Sequence, residues 1–260
     1  MIKQYTVDAF TDRLFSGNPA AVCLLDSWLE DEIMQGIACE NNLSETAFLV
    51  RKNENYLLRW FTPGGEVDLC GHATLASAHV VCTCVDEGRN AVEFDTRSGI
   101  LRVSRKEDFY EMSFPSYELA PVDVTAEMAE ALGTRPREAY LGRDLLCVFG
   151  SEPEVRSLAP DFAKLAQLEG LLVHATAPGD GGTDCVSRSF APKLDVNEDP
   201  VCGSGHCHIF PYWARVLGKA ELTGVQASKR GGILYGRVGA GKVELGGNAR
   251  LFCKSTLNLD

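Results

Sequence analysis

The sequence predicts an α+β protein of two lobes, each made mostly of short strands around one central helix. Three observations carry this. First, one motif occurs twice: Arg59-Trp60-Phe61-Thr62-Pro63 leads into Glu66, Leu69 and Cys70-Gly71-His72-Ala73, and Arg188-Ser189-Phe190-Ala191-Pro192 leads into Glu198, Asp199, Val201 and Cys202-Gly203-Ser204-Gly205. Second, each Cys-Gly pair opens a run of small and apolar residues of helical length. Third, most of what remains consists of short β-rich runs broken by turn residues, the pattern of sheets with few helices.

In the first half, Ile2 to Phe10 and Ala20 to Leu25 read as strands around the turn Gly17-Asn18-Pro19. Ser27-Trp28-Leu29-Glu30 has the form of a capping box, and Ile33, Met34, Ile37 and Ala38 follow at helical spacing. Thr46 to Val50 and Tyr56 to Phe61 read as strands, Ala73 to Val85 as a helix, and Val92 to Phe94, Ile100 to Val103 and Tyr110 to Phe114 as further strands. Periodicity lapses from Pro115 to Pro121, which sets the expected lobes at residues 1–115 and 116–260, with residues 248–260 able to return to the first.

The second half follows the same outline. Thr125 to Leu132 is a short helix; Leu145 to Phe149, Leu171 to Ala175 and Val186 to Phe190 are strands; His206 to Leu217 is the second central helix, with Pro211 expected to bend or split it. Strands follow at Leu222 to Ala227, Ile233 to Val238, Val243 to Leu245 and Leu251 to Lys254, with Gly231-Gly232 and Gly246-Gly247 as turns.

A formal net charge of -11 works against nucleic acid and anionic membrane surfaces, because the field repels phosphates before contact. A small-molecule partner fits better. The N-terminus shows no signal-peptide core and no stretch is long enough to span a bilayer, so a cytoplasmic location is expected. The ten cysteines are scattered and are expected to be reduced, with Cys23, Cys39, Cys147 and Cys253 packed as small hydrophobes in apolar runs.

Cys70 and Cys202 differ in setting, because each stands at a helix start. Small residues there leave backbone N–H groups open to an anion, and the helix dipole favours negative charge. Two such starts would hold a carboxylate or an enolate-like oxyanion without any arginine. The same field is expected to lower the thiol pKa values, so that one thiolate and one thiol could move a proton across a substrate held between the lobes. Thiols that face each other closely would also be linked by mild oxidation. Glu45, at the head of the strand after Asn41-Asn42-Leu43-Ser44, is a competing proton carrier, its pKa raised by partial burial.

Taken together, Gly17-Asn18-Pro19-Ala20-Ala21-Val22, Asn42-Leu43-Ser44-Glu45-Thr46, Phe61-Thr62-Pro63 with Leu69-Cys70-Gly71-His72-Ala73-Thr74, and Glu198-Asp199-Pro200-Val201-Cys202-Gly203-Ser204 resemble the phenazine-biosynthesis PhzF-like family. The resemblance runs in order along essentially the whole chain. It implies a diaminopimelate epimerase-like α+β fold: two pseudo-symmetric lobes, each a curved, mostly antiparallel sheet around a central helix, commonly in a homodimer.

The resemblance further implies a cofactor-free isomerase. Glu45 would carry the proton, His72 and Asp199 would help form the site, and backbone N–H groups around Gly71, Ala73, Gly203, Ser204 and Gly205 would receive the carboxylate of a small substrate, with Asn18 as a further contact. The chain departs from the phenazine enzyme in having cysteine at both position 70 and position 202, as diaminopimelate epimerase and the proline racemases do. Three readings stay open: an isomerase or epimerase using Glu45, an amino- or imino-acid racemase using Cys70 and Cys202, and a non-catalytic binding protein. Cys202 and His206 are four apart on one helix, beside Cys207 and His208, but further ligands at zinc spacing are not evident, and no metal is expected.

Overall fold

The computed structural model describes residues 1–259. Its contacts divide the chain into two units, Met1–Ser113 with the segment from Gly246 onward, and Phe114–Leu245. In the first unit the order is β1 (Ile2–Ala9), β2 (Asn18–Leu25), α1 (Asp31–Asn41), β3 (Glu45–Lys52), β4 (Asn55–Thr62), β5 (Gly65–Val67), α2 (Gly71–Val80), β6 (Ala91–Thr96), β7 (Gly99–Lys106) and β8 (Phe109–Pro115). β1 runs antiparallel to both β2 and the last strand of the chain, Lys242–Leu257. β2 and β3 are parallel and joined by α1; β4 and β6 are parallel and joined across α2; the remaining pairs are antiparallel.

α1 begins later than its capping signal. Glu30 is the N-cap and makes no side-chain cap hydrogen bond. Trp28 and Leu29 are packed on the same cluster as Met34, Ile37, Phe48 and Phe61, so the chain passes them before it turns. Asp31 and Glu32 then suit the positive end of the helix dipole. All ten residues of α2 are buried, which explains its small, apolar composition: an amphipathic stripe has no use where every side meets protein. The segment expected to be helical through Val85 leaves α-geometry after Val80 and closes as a π-turn, Val81–Val85.

The second unit contains β9 (Ala120–Val122), α3 (Ala126–Leu132), β10 (Glu138–Leu141), β11 (Leu145–Val148), α4 (Glu152–Ser157), α5 (Phe162–Leu165), β12 (Val173–Pro178), β13 (Cys185–Ala191), β14 (Val196–Asp199), α6 (Gly203–Leu217), β15 (Glu221–Gln226), β16 (Gly232–Gly239) and the beginning of β17 (Lys242–Leu257). Its plan repeats the first. β11 and β12 are parallel like β2 and β3, and β13 and β15 are parallel across α6 like β4 and β6 across α2. Thr125 caps α3 by accepting from Met128 N.

At a proline and at a glycine pair, packing decides the outcome. Pro211 lies inside α6 without splitting it. It has no N–H to give to the carbonyl of Cys207, and that carbonyl accepts instead from Tyr117 N at 3.2 Å. Gly246-Gly247 is no turn: β17 passes straight through it. A Cβ at Gly246 would come 2.4 Å from the Phe109 ring and 3.1 Å from Tyr110 O, and one at Gly247 would come 2.6 Å from the Phe10 ring. These glycines admit aromatic rings against the strand. Gly246→Ala should therefore cost about 1–3 kcal/mol, read from the urea midpoint; an unchanged midpoint would show that the Phe109 ring simply moves aside. Among the described residues no helix is long and apolar enough to cross a membrane.

Candidate active site

The duplicated motif resolves into a repeated structural brace plus two different helix starts. Arg59 holds Glu66 through two bonds of 2.6 and 2.7 Å and lies over Phe61 at 5.1 Å. Arg188 holds Glu198 at 2.7 and 2.9 Å and lies over Phe190, also at 5.1 Å. The two repeated carboxylates are thus bidentate partners of their own arginines, which fix the strand leading to each helix.

In the first unit the fold brings together Glu45, Cys70, His72 and Asn18. Glu45 opens β3, Asn18 opens β2, Cys70 is the N-cap of α2, and His72 lies in its first turn. Parallel pairing of β2 and β3 puts these two strand starts side by side. Asn18 Nδ2 donates to His72 Nδ1 at 3.1 Å, and Ser44 Oγ donates to Asn18 Oδ1 at 3.4 Å. His72 Nε2 lies 3.1 Å from Glu45 Oε2. The angle is poor, so neither Glu45 Oε2 nor His72 Nε2 makes a directed hydrogen bond although both atoms are buried. Cys70 Sγ lies 3.6 Å from Nδ1.

Burial pulls the His72 pKa down, whereas the neighbouring Cys70 and Glu45 groups pull it up, and the net direction is above its ordinary value. Gly71 and Ala73, adjacent to His72, are both buried, and the Cys70 carbonyl accepts from Thr74 N at 3.3 Å.

In the second unit Cys202 is the N-cap of α6, and its sulfur accepts from Gly205 N at 3.3 Å. Asp199 ends β14; its Oδ1 accepts from Val201 N at 3.1 Å and its carbonyl from Gln226 Nε2 at 2.6 Å, while Gln226 Oε1 accepts from Cys202 N at 2.8 Å. Gln226 thereby ties Asp199 to the helix start. Ser204 Oγ accepts from Arg143 Nη2 at 3.1 Å. The Arg143 guanidinium thus stands beside this helix start, which adds a cation to its backbone donors.

The expected thiol activation is overturned. Burial, with the Glu45 charge, pushes the Cys70 thiol up against the pull of His72. Burial, with the Asp199 charge, pushes Cys202 well above the ordinary thiol range despite its bonds from Ser204 and Gly205 N. Desolvation at these buried helix starts is the first cause of both shifts. All ten cysteines are free, and Cys39, expected in the core, is exposed because it lies on the outer side of α1. His206, four residues after Cys202 on α6, points Nδ1 at the Cys202 carbonyl (2.8 Å) and Nε2 at Ser187 Oγ (3.3 Å).

Beneath the α6 start lies a network that no sequence motif announced. Asp144 has no exposed surface; Arg143 grips it at 3.1 and 2.7 Å, and its Oδ2 lies 3.1 Å from His174 Nε2. His174 Nδ1 meets Ser189 Oγ at 3.0 Å. The His174 ring also fills the space a Cβ at Gly205 would need, at 2.6 Å. The order Asp-His-Ser has the connectivity of a hydrolase triad, but all three side chains are fully buried, so it supports the helix start. Only the pairing of β11 with β12 brings Asp144 near His174, which is why spacing gave no hint of it.

Burial lowers His206 to about 4 and, with the His174 charge, His208 to about 3. Each therefore folds neutral, and the unfolded chain, with histidine near 6.5, binds more protons below that pH. The stabilisation is complete above about pH 6.5 and is lost as pH falls towards 4, by on the order of 3 kcal/mol for each residue. Urea midpoints measured from pH 7 to 4 should fall through this window. A flat profile would mean that both rings protonate without opening the core.

The α+β fold is diaminopimelate epimerase-like. A probable proline racemase from Agrobacterium radiobacter shares it with a TM-score of 0.70, over 100% of this chain and 94% of that one, at 11% identity, a likeness of fold alone. The chain belongs to the phenazine biosynthesis-like protein family, whose model matches residues 7–255. An isomerase of Pseudomonas aeruginosa is 49% identical over 256 residues, covering 98% of each chain. The crystal structure of a PhzF-family protein from Enterococcus faecalis matches with a TM-score of 0.96 and 47% identity over 99% of each chain.

Proposed function

We propose that this isomerase moves a proton at the acidic carbon of a small carboxylate-bearing metabolite without a cofactor, with Glu45 as the principal acid and base. The observation that carries the reading is the contact between Glu45 Oε2 and His72 Nε2, 3.1 Å apart and buried at a helix start. A carboxylate with an imidazole behind it can give up and regain a proton within hydrogen-bond reach of a bound substrate. Backbone N–H groups at the α2 start supply fixed dipoles for a carboxylate or for developing oxyanion charge, and the α6 start of the second unit presents donors of the same kind. Asp199 is proposed as an assisting group.

The rival reading, in which Cys70 and Cys202 are the acid and base, is disfavoured by burial that pushes both thiols up. The test is deuterium incorporation from heavy water, followed by NMR over a panel of small carboxylates, for wild type, Glu45→Gln, Cys70→Ser and Cys202→Ser. Loss only in Glu45→Gln supports the proposal. Loss in either cysteine variant with Glu45→Gln active supports the thiol pair, and absence of exchange across a broad panel favours a binding protein.

A further inference from the structure

We propose that Glu45, Cys70 and His72 form a binding site for a thiophilic divalent cation, zinc above all, and that its occupancy blocks the acid/base pair. The block rests on the assignment of Glu45 made above; the binding does not. One donor atom from each side chain lies within 4.8 Å of the other two. A thiolate, an imidazole and a carboxylate are the ligand types that zinc takes, with a fourth position left for solvent.

The separation of two of the donors comes close to that geometry. Zinc–ligand bonds of about 2.0–2.3 Å set neighbouring donors of a tetrahedron roughly 3.3–3.7 Å apart. Glu45 Oε2 and His72 Nε2 stand 3.1 Å apart, each buried and without a directed hydrogen bond. The His72 side chain is 3% exposed and that of Glu45 17%, so entry is from the Glu45 side. Cys70 Sγ stands 3.6 Å from His72 Nδ1 and would turn about its Cα–Cβ bond to face the ion as the third ligand. The Asn18 amide, 3.1 Å from Nδ1, orients the ring so that Nε2 faces the ion, its oxygen turning to accept from Nδ1–H. One thiolate and one carboxylate neutralise a dication, so the occupied site carries no net charge into the core.

The second unit offers a rival set in Asp144, His174 and His208, also within 4.8 Å of one another. There the Arg143 guanidinium already occupies both oxygens of Asp144 and opposes a cation, and His208 Nδ1 is engaged with the Ser204 carbonyl at 3.3 Å. The cation therefore belongs in the first unit.

The test titrates cobalt(II) into the reduced full-length protein. One equivalent should bind with a sulfur-to-cobalt charge-transfer band and the visible bands of tetrahedral cobalt, and zinc should displace it. Cys70→Ser should abolish the charge-transfer band, while Cys39→Ser, at an exposed thiol, should keep it. Asn18→Ala retains all three ligands and should weaken binding about 10- to 100-fold. Glu45→Gln, at the most accessible ligand, should weaken it by at least as much while keeping the sulfur band, a check independent of whether Cys70→Ser folds. A band unaffected by Cys70→Ser, or binding lost only in His208→Gln, would overturn the site. Binding with these signatures but exchange unaffected by zinc would overturn the block alone and point back to the role given to Glu45.

Discussion

Glu45→Gln should reduce deuterium exchange at the substrate's acidic carbon by about 10²- to 10⁴-fold, the usual contribution of a positioned general acid or base. The substitution keeps the shape of the side chain and its place at the head of β3, and it removes only the capacity to carry the proton. Substrate binding should change little, so the loss should fall on kcat more than on KM. Cys70→Ser should have a smaller effect, because the thiol touches the pair only through His72 Nδ1, 3.6 Å away. Retention of near wild-type exchange by a folded Glu45→Gln protein would remove Glu45 from the reaction.

Asp144→Ala should have the largest effect on stability, on the order of 3–5 kcal/mol, because it strands the charges and donors gathered on a buried carboxylate. Arg143 loses its bidentate partner and His174 loses the acceptor of its Nε2. At about 2–4 °C per kcal/mol for a chain of this size, the melting temperature should drop by roughly 10 °C. Burial works to raise the Asp144 pKa, but His174 and Arg143 outweigh it and hold the group well below the ordinary carboxylate range. Its stabilisation is thus present above about pH 4 and is lost only as pH falls further. Asp144→Asn, which keeps the shape, should show a smaller loss. A melting temperature unchanged in Asp144→Ala would mean that the α6 start stands without the network.

The zinc and catalytic hypotheses meet at residues whose closeness comes from the parallel pairing of two strand starts beside a helix start. Sequence reading sought metal ligands along one helix, at Cys202 and His206, where spacing is visible. The cluster that the fold assembles takes Glu45 from β3 and Cys70 and His72 from α2. Separation along the chain says nothing about such an encounter.

By itself the sequence determined the α+β class, the two-fold repetition of a strand–helix plan and the family, because duplicated motifs and alternating apolar runs are local patterns. Family resemblance pointed to Glu45, His72 and Asp199, and the fold sets Glu45 beside His72. Tertiary structure alone decided the rest. Packing made β17 continuous through two glycines, a backbone donor from Tyr117 took the carbonyl that Pro211 left free, and full burial turned two helix-start thiols towards the neutral form. Desolvation and long-range pairing govern each of these, and both depend on what surrounds a residue in space, which its neighbours in sequence do not specify.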